Sequence, residues 1–147
     1  MPSVTEAIVD RRPIITAAFH VSRPRWVALD HARQTIPNPI LGRALIDTGA
    51  TDSCVDPAVT VALGLDPRAT SRVHTASTAG EPHRVVVVDM SIILIPSDEG
   101  TPLVLPSMLA VQIDLRSQGI HALIGQDVLA RCRLVHDGPR QRFTLSW

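Results

Sequence analysis

One carboxylate, Asp47, stands where a short apolar run ends and a Thr-Gly turn begins. Residues 44–46 before it are all apolar, which predicts a buried strand that delivers the carboxylate at its end. Thr48 can turn its hydroxyl inward to form a hydrogen bond, and Gly49 lets backbone N–H groups approach the acid closely. A carboxylate held in this way can take up or release a proton during a reaction.

The chemistry of such an acid depends on whether it has a partner. Hydrolysis of an amide without a metal or a covalent nucleophile needs one group that takes a proton from water and another that protonates the carbonyl oxygen. Two carboxylates a few ångströms apart supply both, because they cannot both ionise comfortably and therefore share one proton. The chain has no second Asp-Thr-Gly. A turn-capping acid in a small β domain therefore stays open as the simpler interpretation of Asp47.

A second element lies further along the chain, where the apolar residues Leu123 and Ile124 precede Gly125 and a short predicted helix. With the Asp-Thr-Gly segment, this element resembles the retropepsin-like aspartic proteases, the retroviral and single-domain bacterial type. In that family each chain provides one Asp-Thr-Gly, and the active site forms when two chains meet. The resemblance therefore implies that the partner of Asp47 is Asp47 of a second copy.

The resemblance covers residues 44–55, a flap at 75–82 and residues 122–129, and it leaves residues 1–12 and 22–40 unexplained. It implies an all-β fold, a small closed barrel with one or two short helices, as a homodimer that binds an extended peptide. By the family's pattern, Asp47 is catalytic. The supporting residues would be Thr48, Gly49, Leu123, Ile124 and Gly125, and the substrate-binding residues would be Ala50, Thr51, Ser77, Thr78 and Gly80.

One departure from the family concerns charge. Many retroviral members carry Asp at the place of Thr51 and Arg at the place of Gln126, and these two residues form an ion pair. Both positions are neutral here, and joint replacement is easier to accommodate than loss of one partner, which would leave a buried charge uncompensated. The same charged network is therefore not expected in this chain.

Composition excludes several other classes of function. The chain has 147 residues, 45% hydrophobic and 19% charged, which predicts one ordered domain over residues 1–147. Fourteen basic and fourteen acidic residues cancel, so net charge attracts neither nucleic acid nor an anionic membrane. The six histidines show no metal-ligand spacing, and no phosphate or dinucleotide motif predicts a cofactor. Two cysteines and no evident secretory signal favour a reducing, cytoplasmic location.

Frequent proline and glycine divide the chain into short β-branched pieces, typical of a mostly β barrel. Strands are expected at 13–21, 43–47, 72–78, 83–95, 103–113, 120–124, 132–136 and 141–147, with short helices after Asp56-Pro57 and Gly125. Residues 1–12 are expected to form an N-terminal arm. Residues 22–40, which contain three prolines, are expected to be irregular, with a short strand near Trp26.

These observations predict an aspartic endopeptidase in which Asp47 from each of two chains activates a shared water. Residues 14–19 and 143–147 are expected to contribute edge strands to the dimer interface. The alternative is a dimeric peptide-binding or scaffold module of the same fold with weak or no turnover, because a fold does not guarantee an activity.

Overall fold

The protein is described by a computed structural model that covers residues 1–73 and 83–147. This part of the chain forms ten strands and three α-helices. The strands are β1 (Ser3–Val9), β2 (Arg12–Val21), β3 (Ile40–Ile46), β4 (Cys54–Val55), β5 (Pro67–Val73), β6 (His83–Leu94), β7 (Leu103–Gln112), β8 (Ala122–Ile124), β9 (Arg133–Asp137) and β10 (Arg142–Ser146). The helices are α1 (Arg23–His31), α2 (Pro57–Ala62) and α3 (Gln126–Leu129), and a 3-10 turn spans Arg116–Gln118.

Six of the strands close into a barrel, in the order β2, β3, β8, β4, β7 and β6. Closure follows because β6 pairs with β7 at one edge and with β2 at the other. The apolar faces of these strands fill the interior, as expected for a small barrel. The core is mainly aliphatic, as the composition predicts, but it also contains both phenylalanines, Phe19 and Phe143. The prediction of a small closed β-barrel is confirmed, with three short helices rather than one or two.

The chain ends form a second sheet beside the barrel. The segment expected to be an N-terminal arm contains β1, which pairs with β10, and β10 also pairs with β9. The prediction that residues 14–19 and 143–147 provide edge strands is wrong, because β2 and β10 each have partners on both sides. In the described part of the sheet, the outermost strands are β5 and β9.

Residues 22–40 are more regular than predicted. They contain α1, and Trp26 lies in this helix rather than in a strand. The buried Ser22 is its N-cap, with the hydroxyl accepting a hydrogen bond from the N–H of Arg25, and Pro24 occupies the first turn. Proline is compatible with that turn because its missing N–H has no partner within the helix. The prediction was wrong because it treated this proline only as a helix breaker.

The short helix predicted after Asp56-Pro57 is confirmed as α2. The Asp56 carboxylate caps α2, accepting a hydrogen bond from the N–H of Ala58 at 2.8 Å, and Gly64 follows the helix with a positive φ of 61°. Pro106 lies at an irregularity in the β6–β7 pairing, as a proline that cannot donate to a ladder should. β5 and β6 pair as the predicted hairpin, but its tip lies outside the described residues. Within the described ranges, no helix is long and apolar enough to cross a membrane.

Candidate active site

Asp47 follows β3 directly, and the neighbouring strand β8 holds its backbone. β3 and β8 run parallel, with Ile46 opposite Ile124. The N–H of Asp47 extends this pairing by donating to the carbonyl of Ile124 at 3.0 Å. Because Ile124 is fully buried, the start of the loop that carries Asp47 is tied to the barrel core. The two sequence elements that were expected to act together are therefore in direct contact.

The Asp47 carboxylate is half-buried and lies in a tight turn. Its Oδ1 accepts a hydrogen bond from the N–H of Gly49 at 3.0 Å, and its backbone carbonyl accepts one from the N–H of Ala50 at 3.3 Å. Oδ2 receives no hydrogen bond from the residues that the structure describes. Of the two oxygens, only Oδ1 is therefore held by the part of the chain that the structure describes.

Gly125 marks the closest approach between the loop after Asp47 and the start of α3. A Cβ at this position would lie 2.7 Å from the carbonyl carbon of Asp52 and 2.9 Å from the carbonyl oxygen of Ala50. Only glycine allows the two backbones to come this close. The preceding Leu123 is half-buried and lies opposite Leu45 of β3 and Cys54 of β4.

Gln126 connects the start of α3 to the loop through hydrogen bonds that involve no charged group. Its side-chain Nε2 donates to the carbonyl of Thr48 at 2.8 Å, and its backbone N–H donates to the carbonyl of Ala50 at 2.9 Å. The N–H of Asp127 donates in the same way to the carbonyl of Thr51 at 3.2 Å. The side chains of Thr48 and Thr51 are themselves exposed. The first turn of α3 therefore binds the loop by donating to the loop's backbone carbonyls, and these contacts need no charge on residues 51 or 126.

The sequence analysis missed the pairing of Ser53 with Asp127. Ser53 is fully buried, and its hydroxyl donates to Oδ1 of Asp127 at 2.7 Å while its backbone N–H donates to Oδ2 at 2.9 Å. An acid in the first turn of a helix is usually explained by the helix dipole alone. A partner 74 residues away leaves no local sequence signal, although a serine directly before the short apolar strand β4 could have suggested a buried role.

Asp56 is a buried carboxylate close to the same loop in sequence, but its contacts are structural. Its Oδ1 caps α2, and its Oδ2 accepts a hydrogen bond from the N–H of Leu115 at 2.8 Å. Both oxygens are therefore engaged by backbone donors, which offset the cost of burying the charge. Within residues 1–73 and 83–147, no group of three or more His, Cys, Asp or Glu side chains is arranged to hold a metal ion.

Cys54 lies beside the loop and is a poor nucleophile. Burial raises the pKa of its thiol to about 11, with smaller contributions from the charges of Asp127, Asp52 and Asp47. The thiol is therefore protonated at neutral pH, and the thiolate is the reactive form. Burial also raises the pKa of the Cys132 thiol. Both cysteines are therefore better explained as small packing residues than as nucleophiles.

The raised pKa makes a testable prediction for thiol chemistry. At pH 8 we expect iodoacetamide to modify Cys54 of the folded protein about a hundredfold more slowly than in guanidinium, because the thiolate fraction falls tenfold per pKa unit above an ordinary value of 9.0. The rate should rise as the pH approaches 11. Peptide mapping by mass spectrometry separates Cys54 from Cys132. Equal rates in folded and unfolded protein at pH 8 would contradict the assignment.

The substrate side of the site is only partly described. Ala50 is half-buried beside Asp47, but Ser77, Thr78, Gly80 and the rest of the predicted flap lie outside the described residues. Two of the surface hollows that the described residues form lie away from the loop after Asp47. One of these hollows is lined by Val135, Asp137, Arg140, Arg142, Phe143 and Thr144, and the other includes Glu6, Arg12 and Arg43.

Comparison with known proteins agrees with this geometry. The sequence model of the family described as "Aspartyl protease" matches residues 37–128, from before β3 into α3. The crystal structure of a retropepsin-like aspartic protease from Rickettsia conorii is similar to this chain, with a TM-score of 0.61 and 15% identity over 99% of this chain and 90% of that one. The retroviral protease-like domain of Ddi1 from Leishmania major matches with a TM-score of 0.43 and 16% identity, over 86% and 83% of the two chains. No curated protein matches the sequence.

Proposed function

Because the chain belongs to the aspartyl protease family and has the retropepsin-like fold, we propose that it is an endopeptidase that works as a homodimer. The observation that carries the proposal is the geometry of Asp47. Its carboxylate lies at the end of a barrel strand, with one oxygen held by the N–H of Gly49 and the other not bonded by the described residues. The matched family segment includes this residue.

In the proposed reaction, two Asp47 carboxyl groups share one proton and bind a water between them. The ionised carboxylate takes a proton from the water as its oxygen forms a bond to the peptide carbonyl carbon. The protonated carboxyl gives its proton to the carbonyl oxygen, which yields a neutral tetrahedral intermediate. The C–N bond then breaks as the protonated carboxyl gives its proton to the leaving nitrogen and the ionised carboxylate takes a proton from a hydroxyl of the intermediate. This releases the amine and the carboxylic acid and leaves one proton on the dyad.

The partner acid is proposed to come from a second copy because the neighbouring acids of the same chain are engaged or exposed. Asp127 binds Ser53 through both oxygens, and Asp56 binds two backbone N–H groups. Asp52 is exposed and lies beyond the turn. The turn itself presents Thr48 and Gly49 to solvent, so a two-fold axis beside these residues would bring the two carboxyl groups together.

The remaining residues have supporting roles in this proposal. Thr48 would hydrogen-bond across the axis, while Leu123, Ile124 and Gly125 brace the loop from the barrel side. Ala50 and Thr51, with Ser77, Thr78 and Gly80 of the flap, would bind an extended peptide largely through its backbone, as an added strand. The identity of the flap residues rests on the sequence alone.

The proposal predicts that activity depends on dimer formation. Below the dimer dissociation constant, we expect specific activity to fall about tenfold for each tenfold dilution, because the active fraction is then proportional to concentration. The measurement is hydrolysis of a peptide library across a dilution series, with sedimentation giving the dimer fraction. A statine-type inhibitor, which resembles the tetrahedral intermediate, should block the activity. Constant specific activity in a strictly monomeric sample would contradict the proposal.

The same experiment separates the enzyme from a peptide-binding module. A dimer that binds peptides from the library but hydrolyses none of them, with or without the statine compound, would be the scaffold alternative. The neutral residues at positions 51 and 126 do not favour that alternative, because Gln126 still binds the loop.

A further inference from the structure

The carboxylate of Asp127 and the hydroxyl of Ser53 form a compact hydrogen-bonded pair next to the loop that carries Asp47. Asp127 accepts two hydrogen bonds from Ser53, at 2.7 Å and 2.9 Å. The same Ser53 hydroxyl accepts a hydrogen bond from the N–H of Gly125 at 3.0 Å. The Ser53 side chain, which is fully buried, therefore joins the end of the loop to the start of α3 both as a donor and as an acceptor.

Capping of α3 does not account for this arrangement. The free N–H groups at the start of α3 already have partners: those of residues 126 and 127 donate to loop carbonyls, and that of Val128 donates to Oδ1 of Asp127. The two bonds to Ser53 are additional, and bonds to an ionised carboxylate are stronger than those between neutral groups. Their consequence is that the position of residue 53 is set by residue 127.

The opposite end of the loop is held from the same helix. Gln126 donates to the carbonyls of Thr48 and Ala50, as described above. The segment from residue 48 to residue 53 is therefore attached to the first turn of α3 at both of its ends. Asp47 directly precedes this segment, so any shift of the segment moves the catalytic carboxylate.

We propose that Asp127 and Ser53 are positioning residues for the Asp47 dyad. They fix the position of the loop, and with it the separation of the two carboxyl groups across the dimer. This inference rests on the proposed function. A dyad depends steeply on separation, because the repulsion that makes two carboxylates share a proton falls as they move apart. Misplacement of a catalytic group by about 1 Å can cost about 10²-fold in rate.

Asp127→Asn is the direct test. The amide oxygen can accept only one of the two Ser53 bonds, and the NH2 group would face the remaining donor. With enzyme well above the dimer dissociation constant, we expect kcat to fall between about tenfold and a hundredfold while KM changes little, because the effect lies on the reacting carboxylates. Ser53→Ala should act in the same direction, and the double variant should lose less than the product of the two single effects.

The pH profile provides a readout that a purely structural role would not change. When two carboxylates move apart, the lower apparent pKa of the pair rises and the higher one falls. We therefore expect the bell-shaped profile of kcat to become narrower in Asp127→Asn. Among the described residues, the other titratable groups near the loop are Asp52, which is exposed, and Cys54, whose thiol is protonated throughout that range.

Asp137→Asn is the matched control. Asp137 also accepts two hydrogen bonds from one residue, the N–H and guanidinium of Arg140, but it lies in the β9–β10 turn, away from the loop. We expect this variant to keep the wild-type kcat and profile width. If Asp127→Asn also keeps both, or loses thermal stability without narrowing the profile, the inference is wrong.

Amide hydrogen exchange makes the test independent of catalysis. In Asp127→Asn we expect peptides spanning residues 47–53 to exchange faster, while β2 and β10 exchange as in the wild type. Absence of Asp47-dependent hydrolysis in the wild type would refute the proposed function, and the exchange data would still decide whether Asp127 holds the loop. Unchanged exchange in this segment would refute the inference even if the enzyme is active.

Discussion

Asp47→Asn should abolish peptide hydrolysis while leaving the barrel folded, with kcat/KM reduced by at least about 10³-fold. The substitution changes one oxygen to an NH2 group and preserves size, so the remaining amide oxygen can still accept the hydrogen bond from Gly49. What it removes is the group that exchanges protons with water. Steady-state hydrolysis of a peptide cleaved by the wild type measures the effect, and circular dichroism verifies the fold.

Asp52→Asn is the control for this prediction, since Asp52 is an exposed carboxylate in the same loop. We expect it to keep activity close to that of the wild type. Mixing provides a further check: random pairing of wild-type chains with about a tenfold excess of Asp47→Asn chains should reduce the activity per wild-type chain about tenfold, because most wild-type chains are then paired with a variant chain in a dimer that holds one Asp47 carboxylate. Full activity in the mixture would contradict a dyad formed by two chains.

Gly125→Ala should have the largest effect on stability among single methyl additions near the site. The added Cβ would lie 2.7 Å and 2.8 Å from the carbonyl carbon and oxygen of Asp52, and these are backbone atoms that cannot rotate away. Either α3 or the loop must move, which would lengthen the 2.9 Å bond from Gln126 to Ala50. We expect the free energy of unfolding to fall by about 3 kcal/mol, the upper part of the usual range for overpacking. Urea denaturation measures it.

Gly138→Ala is the matched control for this second prediction. Gly138 has no atom within 4 Å of the place where a Cβ would be added, and its φ is negative or extended. We expect its stability to be unchanged or slightly higher, because alanine reduces the entropy of the unfolded chain. If the two variants unfold at the same urea concentration, the close approach at Gly125 is not as described. Gly125→Ala should also lose activity, since the loop that moves carries Asp47.

Much of the fold could be predicted because its signals are local. Neighbouring residues are enough to predict the cap and the proline at the start of α2 and the glycine after it. They also indicate the extended runs that pair as the β5–β6 and β9–β10 hairpins. The helix α1 was missed because a local signal was misinterpreted. Three prolines within residues 22–40 suggested disruption, although Pro24 occupies a position where proline fits a helix.

The edge strands were predicted wrongly because pairing is not a local property. A strand near a chain end has the same sequence pattern whether its partner is in the same chain or in another. In this protein β10 lies between β1 and β9, and β2 lies against β3 and β6. If the proposed dimer forms, its contact must therefore include the exposed turn at Thr48 and Gly49 rather than depend on those two strands.

The sequence by itself determined the catalytic candidate and its brace. Asp47, the turn after it and the apolar pair before Gly125 are recognisable because each is a contiguous run with its own chemical reason. Only the tertiary structure decided what holds this loop. The bonds from Asp127 to Ser53 and from Gln126 to Thr48 join residues 74 and 78 positions apart, and they exist because β3 and β8 lie side by side. Hydrogen bonding depends on distance in space, which no short stretch of sequence encodes.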